Sequence, residues 1–363
     1  MAISRREFIE RSATLAAASL TARRGLGQTI RRRPQRVAVI GVGHYHAFSP
    51  PNYLQILQTE KTDIVGVHDP DAAIAAKYAS QVGSTAFTDY RSLIEKTKPE
   101  FAIALGHHAA MPATFRYLVD AGVPFLMEKP WGTDDKTVRE LADLAESRKA
   151  WVAVPMPFRY SWWAETARRM RERGELGAIS HMLFRFNQPG VQRYIDSGSS
   201  WILTKAEAGG GALLNLGVHG FDVFRYITGE EPKVVAAVTS HATQRREIED
   251  YAHVTLRTPS GIVCLNEASY TYPTNGSDQE RKVAAERAVL TAVTAGGEGV
   301  QLVAPGRPVE TIRAPDGYLA GWPGAVHDCL ERIGRGDPPA VTAHDCARTV
   351  SLTFDAYRMA GEV

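Results

Sequence analysis

Arg36-Val37-Ala38-Val39-Ile40-Gly41-Val42-Gly43-His44-Tyr45-His46 is the stretch on which the fold turns. A short β-branched run that stops on a glycine turn reads as the first strand of an α/β unit. There Gly41 permits the tight turn and Gly43 lets backbone amides approach a pyrophosphate at the next helix N-terminus. Working outward, further apolar runs follow at 63–68, 85–87, 101–105, 124–127 and 151–154. Helical patterns lie between them, among them 89–96 and 133–148, the latter with Thr133 or Asp134 placed to cap it. Continuous apolar strands alternating with helices imply a parallel sheet covered on both faces, a doubly wound Rossmann-type domain, for which 3-2-1-4-5-6 is the usual strand order.

Several residues of this half are candidate cofactor contacts. Asp69 closes the second strand, where a carboxylate accepts from ribose hydroxyls and repels a 2′-phosphate. No Arg follows in Pro70-Asp71-Ala72, so NAD is favoured over NADP. The third glycine of G-x-G-x-x-G is replaced by His46, and Pro50-Pro51 interrupts the expected phosphate-binding helix. Across the strand-order switch point the loop after the first strand brings His44, Tyr45 and His46 towards Gly106, His107 and His108. The four histidines are weighed as ligands for a metal or an anion against neutral groups lining a cofactor cleft. The second account is preferred, because no carboxylate completes a ligand set, and no metal is assigned.

Two further segments carry chemistry. Glu128-Lys129-Pro130 ends the fifth strand at the carboxyl edge of the sheet, where a lysine can hold a substrate oxygen. Residues 209–222, Gly-Gly-Gly-Ala-Leu-Leu-Asn-Leu-Gly-Val-His-Gly-Phe-Asp, place Asn215, His219 and Asp222 within roughly 60° of one another on a helix. A polar stripe on an apolar helix must satisfy itself or meet a ligand, since each buried unpaired group costs about 1–3 kcal/mol. A histidine with a nearby amide and carboxylate is a candidate acid–base group.

With these motifs the sequence resembles the glucose-fructose oxidoreductase, inositol dehydrogenase and rhizopine-catabolism family (Gfo/Idh/MocA) over about residues 36 to 361. The resemblance implies an NAD-binding Rossmann domain, set here at 34–155. It also implies an α+β domain at 156–363 with an open, mainly antiparallel sheet, for substrate and oligomerisation. Candidate strands of that sheet are 179–186, 234–240, 252–257 and 262–269; the last helices, 324–333 and 343–359, are expected to pack back on the core.

The resemblance assigns Lys129 and His219 to the reacting hydroxyl, with Asn215 and Asp222 as further catalytic candidates. Gly41, Gly43, His44, Tyr45, His46, Asp69, Gly106, His107, Glu128 and Lys129 are assigned to the cofactor. Lys129, Arg159, Trp163, Trp201 and His219 are assigned to the substrate. The family usually has Asp where this chain has Asn215. An amide cannot raise the pKa of His219 as a carboxylate would, so His219 is expected to be a weaker base unless Asp222 compensates. The implied activity is NAD-dependent oxidoreduction of a hydroxyl on a sugar or cyclitol, with the cofactor tightly retained. One alternative is an NAD-dependent glycosidase working by transient oxidation and elimination. Another is a carbohydrate-binding member without catalysis. A homodimer or homotetramer is implied by analogy.

Length and charge bound the rest. At 363 residues the chain predicts two domains, and 42 basic against 40 acidic residues argue against a broad nucleic-acid-binding surface. No apolar run is long enough for a membrane span. The basic residues are unevenly placed: eight Arg and two Glu fall within the first 33 residues. There Ser4-Arg5-Arg6-Glu7-Phe8-Ile9 precedes an Ala-rich apolar stretch. This reads as a twin-arginine export signal over 1–33, engaging that translocation machinery and sending the protein to the periplasm. No Ala-x-Ala cleavage site is evident, and Gly25-Leu26-Gly27 is one candidate. Cys264, Cys329 and Cys346 form no Cys-x-x-Cys; a Cys329–Cys346 bridge is weighed against three separate buried thiols, and the latter is preferred.

Overall fold

Strands β1 Arg36–Ile40, β2 Asp63–His68, β3 Ala86–Phe87, β4 Phe101–Ala104, β5 Phe125–Met127 and β6 Val152–Ala153 build a parallel sheet in the order β3-β2-β1-β4-β5-β6. The computed structural model describes residues 35–48, 52–274, 276–293, 299–312 and 317–363, so the export signal expected over 1–33 lies outside the described residues. Val37 to Ile40 and Phe101 to Ala104 are buried along their whole length, as strands covered on both faces must be. The crossovers are α1 Tyr45–Phe48 with α2 Tyr53–Thr59, α3 Ala72–Val82, α4 Tyr90–Thr97, α5 Met111–Asp120 and α6 Asp135–Ser147. Asn52, Asp71, Asp89 and Asp134 cap α2, α3, α4 and α6, each accepting from amides of the first turn.

After α7 Trp162–Glu172 the chain builds a second sheet. Its strands are β7 Ile179–Pro189, β8 Lys233–Ser240, β9 Tyr251–Arg257, β10 Val263–Tyr272, β11 Asp278–Ala285, β12 Val289–Val293, β13 Gly299–Val303 and β14 Glu310–Ile312. The order is β14-β13-β12-β11-β7-β10-β9-β8, antiparallel throughout except for β7 beside β10. Burial alternates along β9 and β10, which gives the sheet one packed face. Helix α8 Val218–Thr228 lies on that face and is entered through a π-helical turn at Leu213–Gly217.

Two long helices close the molecule, α9 Tyr318–Arg335 and α10 Ala343–Ala360. The first begins earlier than the expected 324, with Pro323 in its second turn, where one lost amide forfeits a single backbone bond. Trp322, Val326, Cys329 and Leu330 of α9 share one apolar cluster with Val37, Val39, Phe101 and Ile103, so the last part of the chain completes the core beside the first sheet. No helix among the described residues is long and apolar enough to cross a membrane.

Candidate active site

Both sheets point their functional loops at one region. The turn after β1 needs glycine twice over: Gly41 has φ 78°, and a Cβ there would stand 2.3 Å from the Leu105 carbonyl oxygen. Gly41 and Val42 donate their amides to the His68 carbonyl at 2.7 and 3.0 Å, tying the turn to the end of β2. Gly43 sits so close to Asp69 that its amide donates to the carboxylate at 2.7 Å. Between these loops opens a cleft of about 500 Å³, lined among others by Gly43, His44, Asp69, Gly106, His107 and Trp201. The glycine cradle, the acidic end of β2 and the cleft between them fit a dinucleotide.

Six of the expected cofactor contacts, Gly41, Gly43, His44, Asp69, Gly106 and His107, border that cleft; the other four do not. Tyr45 and His46 line a neighbouring cavity of about 210 Å³, together with Arg193, Tyr194, Asn215 and Tyr318. Glu128 and Lys129 are buried behind it. The reason is local: with histidine in place of the third glycine, the chain leaves the turn with its side chain reaching Glu128. His46 Nδ1 lies 2.8 Å from Glu128 Oε1, which also accepts from the Tyr53 hydroxyl at 2.7 Å.

Lys129 follows a different path from the same strand end. Its Nζ donates to the Asn215 backbone carbonyl at 2.5 Å and to Asn215 Oδ1 at 2.7 Å. The Asn215 Nδ2 donates in turn to the hydroxyls of Tyr194 and Tyr270, at 2.9 and 2.8 Å, which fixes the amide with its oxygen towards the lysine. Burial pushes the Lys129 ammonium down to about 8, with Glu128 opposing that shift. Asn215 therefore acts on Lys129, not on His219 as the spacing had suggested.

His219 is 1% exposed, and neither ring nitrogen has a hydrogen-bond partner. It is packed among Phe158, Phe186 and Tyr318, with the Tyr318 ring centroid 5.1 Å away. Burial holds its pKa well below the ordinary imidazole value, and Lys129 and His46 lower it further, so the ring is neutral. The two unpartnered nitrogens are the strongest sign that this buried region meets a ligand.

Three other expectations are corrected. Asp222 does not support His219: its carboxylate accepts a two-pronged bond from Arg159, at 2.8 Å from Nε and 2.5 Å from a terminal nitrogen. Arg159 is consumed by that pairing and by Asp345 at 3.0 Å, so it belongs to a buried ion-pair network and not to the substrate cavity. Trp163 is fully buried, with its indole nitrogen donating to the Leu290 carbonyl behind the cleft. Trp201 does reach the cleft, stacked on His107 at 4.6 Å.

The histidines divide by environment. Burial brings His108 down to about 3 and holds His44 well below its ordinary value, while His107 is half exposed. Among the described residues no group of three or more His, Cys, Asp or Glu is placed to hold a metal ion. Cys264, Cys329 and Cys346 are separate buried thiols. Missed by the sequence reading were Tyr318, Arg193 and Tyr270, which come to the site from three distant segments.

Residues 35–156 match the oxidoreductase family with an NAD-binding Rossmann fold, and 164–291 match the GFO/IDH/MocA C-terminal domain. The rhizopine catabolism protein MocA of Rhizobium meliloti is 25% identical over 191 residues, 51% of this chain and 56% of that protein. The trans-1,2-dihydrobenzene-1,2-diol dehydrogenase of Sus scrofa is 24% identical over 300 residues, 80% of this chain and 86% of that enzyme. Among solved structures, an inositol dehydrogenase homolog with NAD+ from Azotobacter vinelandii superposes with a TM-score of 0.78 at 19% identity, covering 90% of this chain and 95% of that one. A levoglucosan dehydrogenase with NADH and levoglucosan gives 0.79 at 17%, covering 91% and 98%. At such identities the superpositions speak for the fold. The two family matches take in more than half the chain, one over each sheet, and on them the chain belongs to the GFO/IDH/MocA family of NAD-binding oxidoreductases.

Proposed function

We propose that the protein oxidises a hydroxyl of a sugar or cyclitol, and that it keeps its NAD bound between turnovers. The observation that carries this reading is His219, a buried neutral imidazole with both nitrogens unpartnered beside a buried lysine. Gly41, Gly43, Asp69, Gly106 and His107 would hold the cofactor, which when bound accepts the hydrogen and electron pair from the carbinol carbon. Lys129, an ammonium below about pH 8, donates to the hydroxyl oxygen and stabilises the charge that grows there. A ring nitrogen of His219 takes the hydroxyl proton. The aromatic walls of the adjoining cavity, Tyr45, Tyr194 and Tyr318, suit the apolar faces of a sugar ring, and Arg193 suits its hydroxyls.

Retention is supported by Trp201, which lies over the cleft from the second half of the chain. It also agrees with the reading of 1–33 as a twin-arginine signal, since an exported enzyme must carry a dinucleotide it cannot replace outside. The test is native mass spectrometry of purified protein for bound NAD, followed by nicotinamide absorbance on adding myo-inositol, D-glucose or levoglucosan. We expect reduction with at least one of them, lost in His219→Ala and Lys129→Ala. Absence of any absorbance change overturns the reading. Sugar binding that ignores both substitutions points instead to a non-catalytic carbohydrate-binding protein.

A further inference from the structure

The cavity beside the cofactor cleft carries a positive charge that a neutral sugar does not answer. Arg193 lies on a short helix, Gln192–Asp196, just after β7, and lines that cavity. Its terminal nitrogens donate to Gln188 Oε1 at 2.9 Å and to the Tyr194 hydroxyl at 3.0 Å. The guanidinium also lies over the rings of Tyr194 and Tyr270, 4.6 and 5.9 Å from their centroids. None of these partners is a carboxylate, and Nε is shielded from solvent with no hydrogen-bond partner. Elsewhere in the chain Arg159, Arg185 and Arg225 each meet at least two carboxylates. No acidic side chain among the described residues lines the cavity, and Glu128 behind it is turned onto His46 and the Tyr53 hydroxyl.

An amide and a phenol join this cation to Lys129. The lysine occupies Asn215 Oδ1, and Asn215 Nδ2 donates to the Tyr194 hydroxyl, which also receives Arg193. A hydroxyl oxygen that accepts twice sends its own proton elsewhere. No acceptor for that proton is found among the described residues. The wall therefore offers the Tyr194 O–H and the spare N–H groups of Arg193, donors without acceptors, around a charge without a counter-charge. An enclosed charge of this kind is costly until an opposite one meets it. A sugar hydroxyl would take the N–H and leave the charge. A carboxylate answers both, since it is planar, accepts only and matches the fork of a guanidinium. A phosphate dianion brings twice the charge that one guanidinium offsets. Asn215 belongs to the same arrangement, because an aspartate there would draw the Tyr194 proton to itself and offset Arg193 from within.

We infer that the sugar or cyclitol is an acid, its carboxylate held by Arg193 and the Tyr194 hydroxyl while the hydroxyl to be oxidised lies at Lys129 and His219. The inference rests on the reading of this cavity as the site of alcohol oxidation and narrows its substrate. A cavity of about 210 Å³ has room for one hexose-sized molecule, so the class is a uronic, aldonic or cyclitol acid. Neutral sugars are weaker ligands of the same site.

The test reads binding, so that it does not depend on turnover. NAD-loaded protein is titrated calorimetrically with D-glucuronate, D-galacturonate and D-gluconate, each against its neutral counterpart, D-glucose, D-galactose and D-glucitol. At least one acid is expected to bind tenfold or more tighter than its counterpart. That ratio should fall at least fivefold in Arg193→Gln. It should fall likewise in Gln188→Glu, which places a carboxylate on Arg193 from within the protein and should also raise the unfolding midpoint. If Arg193→Gln does not fold, Gln188→Glu decides. No acid preference in the wild type, a preference that survives in the folded variants, or tighter binding of D-glucose 6-phosphate than of every acid overturns the inference. Nicotinamide reduction is followed separately: its absence with every sugar and acid counts against the oxidation proposed above, whereas reduction of neutral sugars without an acid preference counts only against the carboxylate site.

Discussion

Two buried residues set the chemistry, and each yields a separate measurement. His219 keeps two unpartnered nitrogens in an aromatic pocket, which costs stability that a hydrocarbon would not. His219→Leu is therefore expected to lower kcat by about 10²–10⁴ while the unfolding midpoint stays level or rises. Burial brings the Lys129 ammonium down to about 8, and Asn215 holds it with an oxygen that carries no charge. Activity that needs the ammonium should fall as pH rises through that value. In Asn215→Asp a carboxylate beside the amine favours the charged form, so the falling limb of the kcat profile should move to higher pH; an unmoved limb would separate Asn215 from Lys129. His219, Lys129 and Asn215 were legible because their motifs are contiguous. Their pairing was not: the stripe was drawn at about 100° per residue, and the π-helical turn at Leu213–Gly217 breaks that phase between Asn215 and Asp222.

At the level of elements, the parallel sheet was legible because strands buried on both faces read as unbroken apolar runs. The observed order β3-β2-β1-β4-β5-β6 is the usual one for such a sheet. Strands β11 to β14 were not, because a sheet with one wetter face interleaves charge, as in Asp278-Gln279-Glu280-Arg281-Lys282, and hides its period. The turn after β1 predicts a large effect from a small change: Gly41→Ala, strained in φ and in contact with the Leu105 carbonyl, should cost at least ~1 kcal/mol, read as a lower unfolding midpoint. The helix that carries Asn215 and His219 is anchored at its start by Glu249. That carboxyl accepts from the Gly211 and Leu213 amides, and burial pushes it up to about 7. Its folded pKa lies above the unfolded value, so its contribution is full below about pH 4 and is lost as pH rises through 7. The unfolding midpoint should therefore decline over that window, and Glu249→Gln should flatten the decline.

Over the whole molecule, charge separates the N-terminal segment from the rest. Residues beyond 33 carry 34 basic and 38 acidic side chains, so the slight excess of positive charge in the full chain belongs to the proposed signal. Replacing Arg5 and Arg6 together by Lys should hold the protein in the cytoplasm of an exporting host, read by cell fractionation, with its melting curve unchanged. The core beside the first sheet is assembled from both ends of the sequence, since Trp322, Val326, Cys329 and Leu330 pack against Val37, Val39 and Ile103. A ribosome making this chain has threaded β1 to β6 into the cell long before α9 emerges, and until then a large apolar face stands open to water. The nucleotide-binding half is thus a late product of synthesis, its core completed only once α9 has left the ribosome.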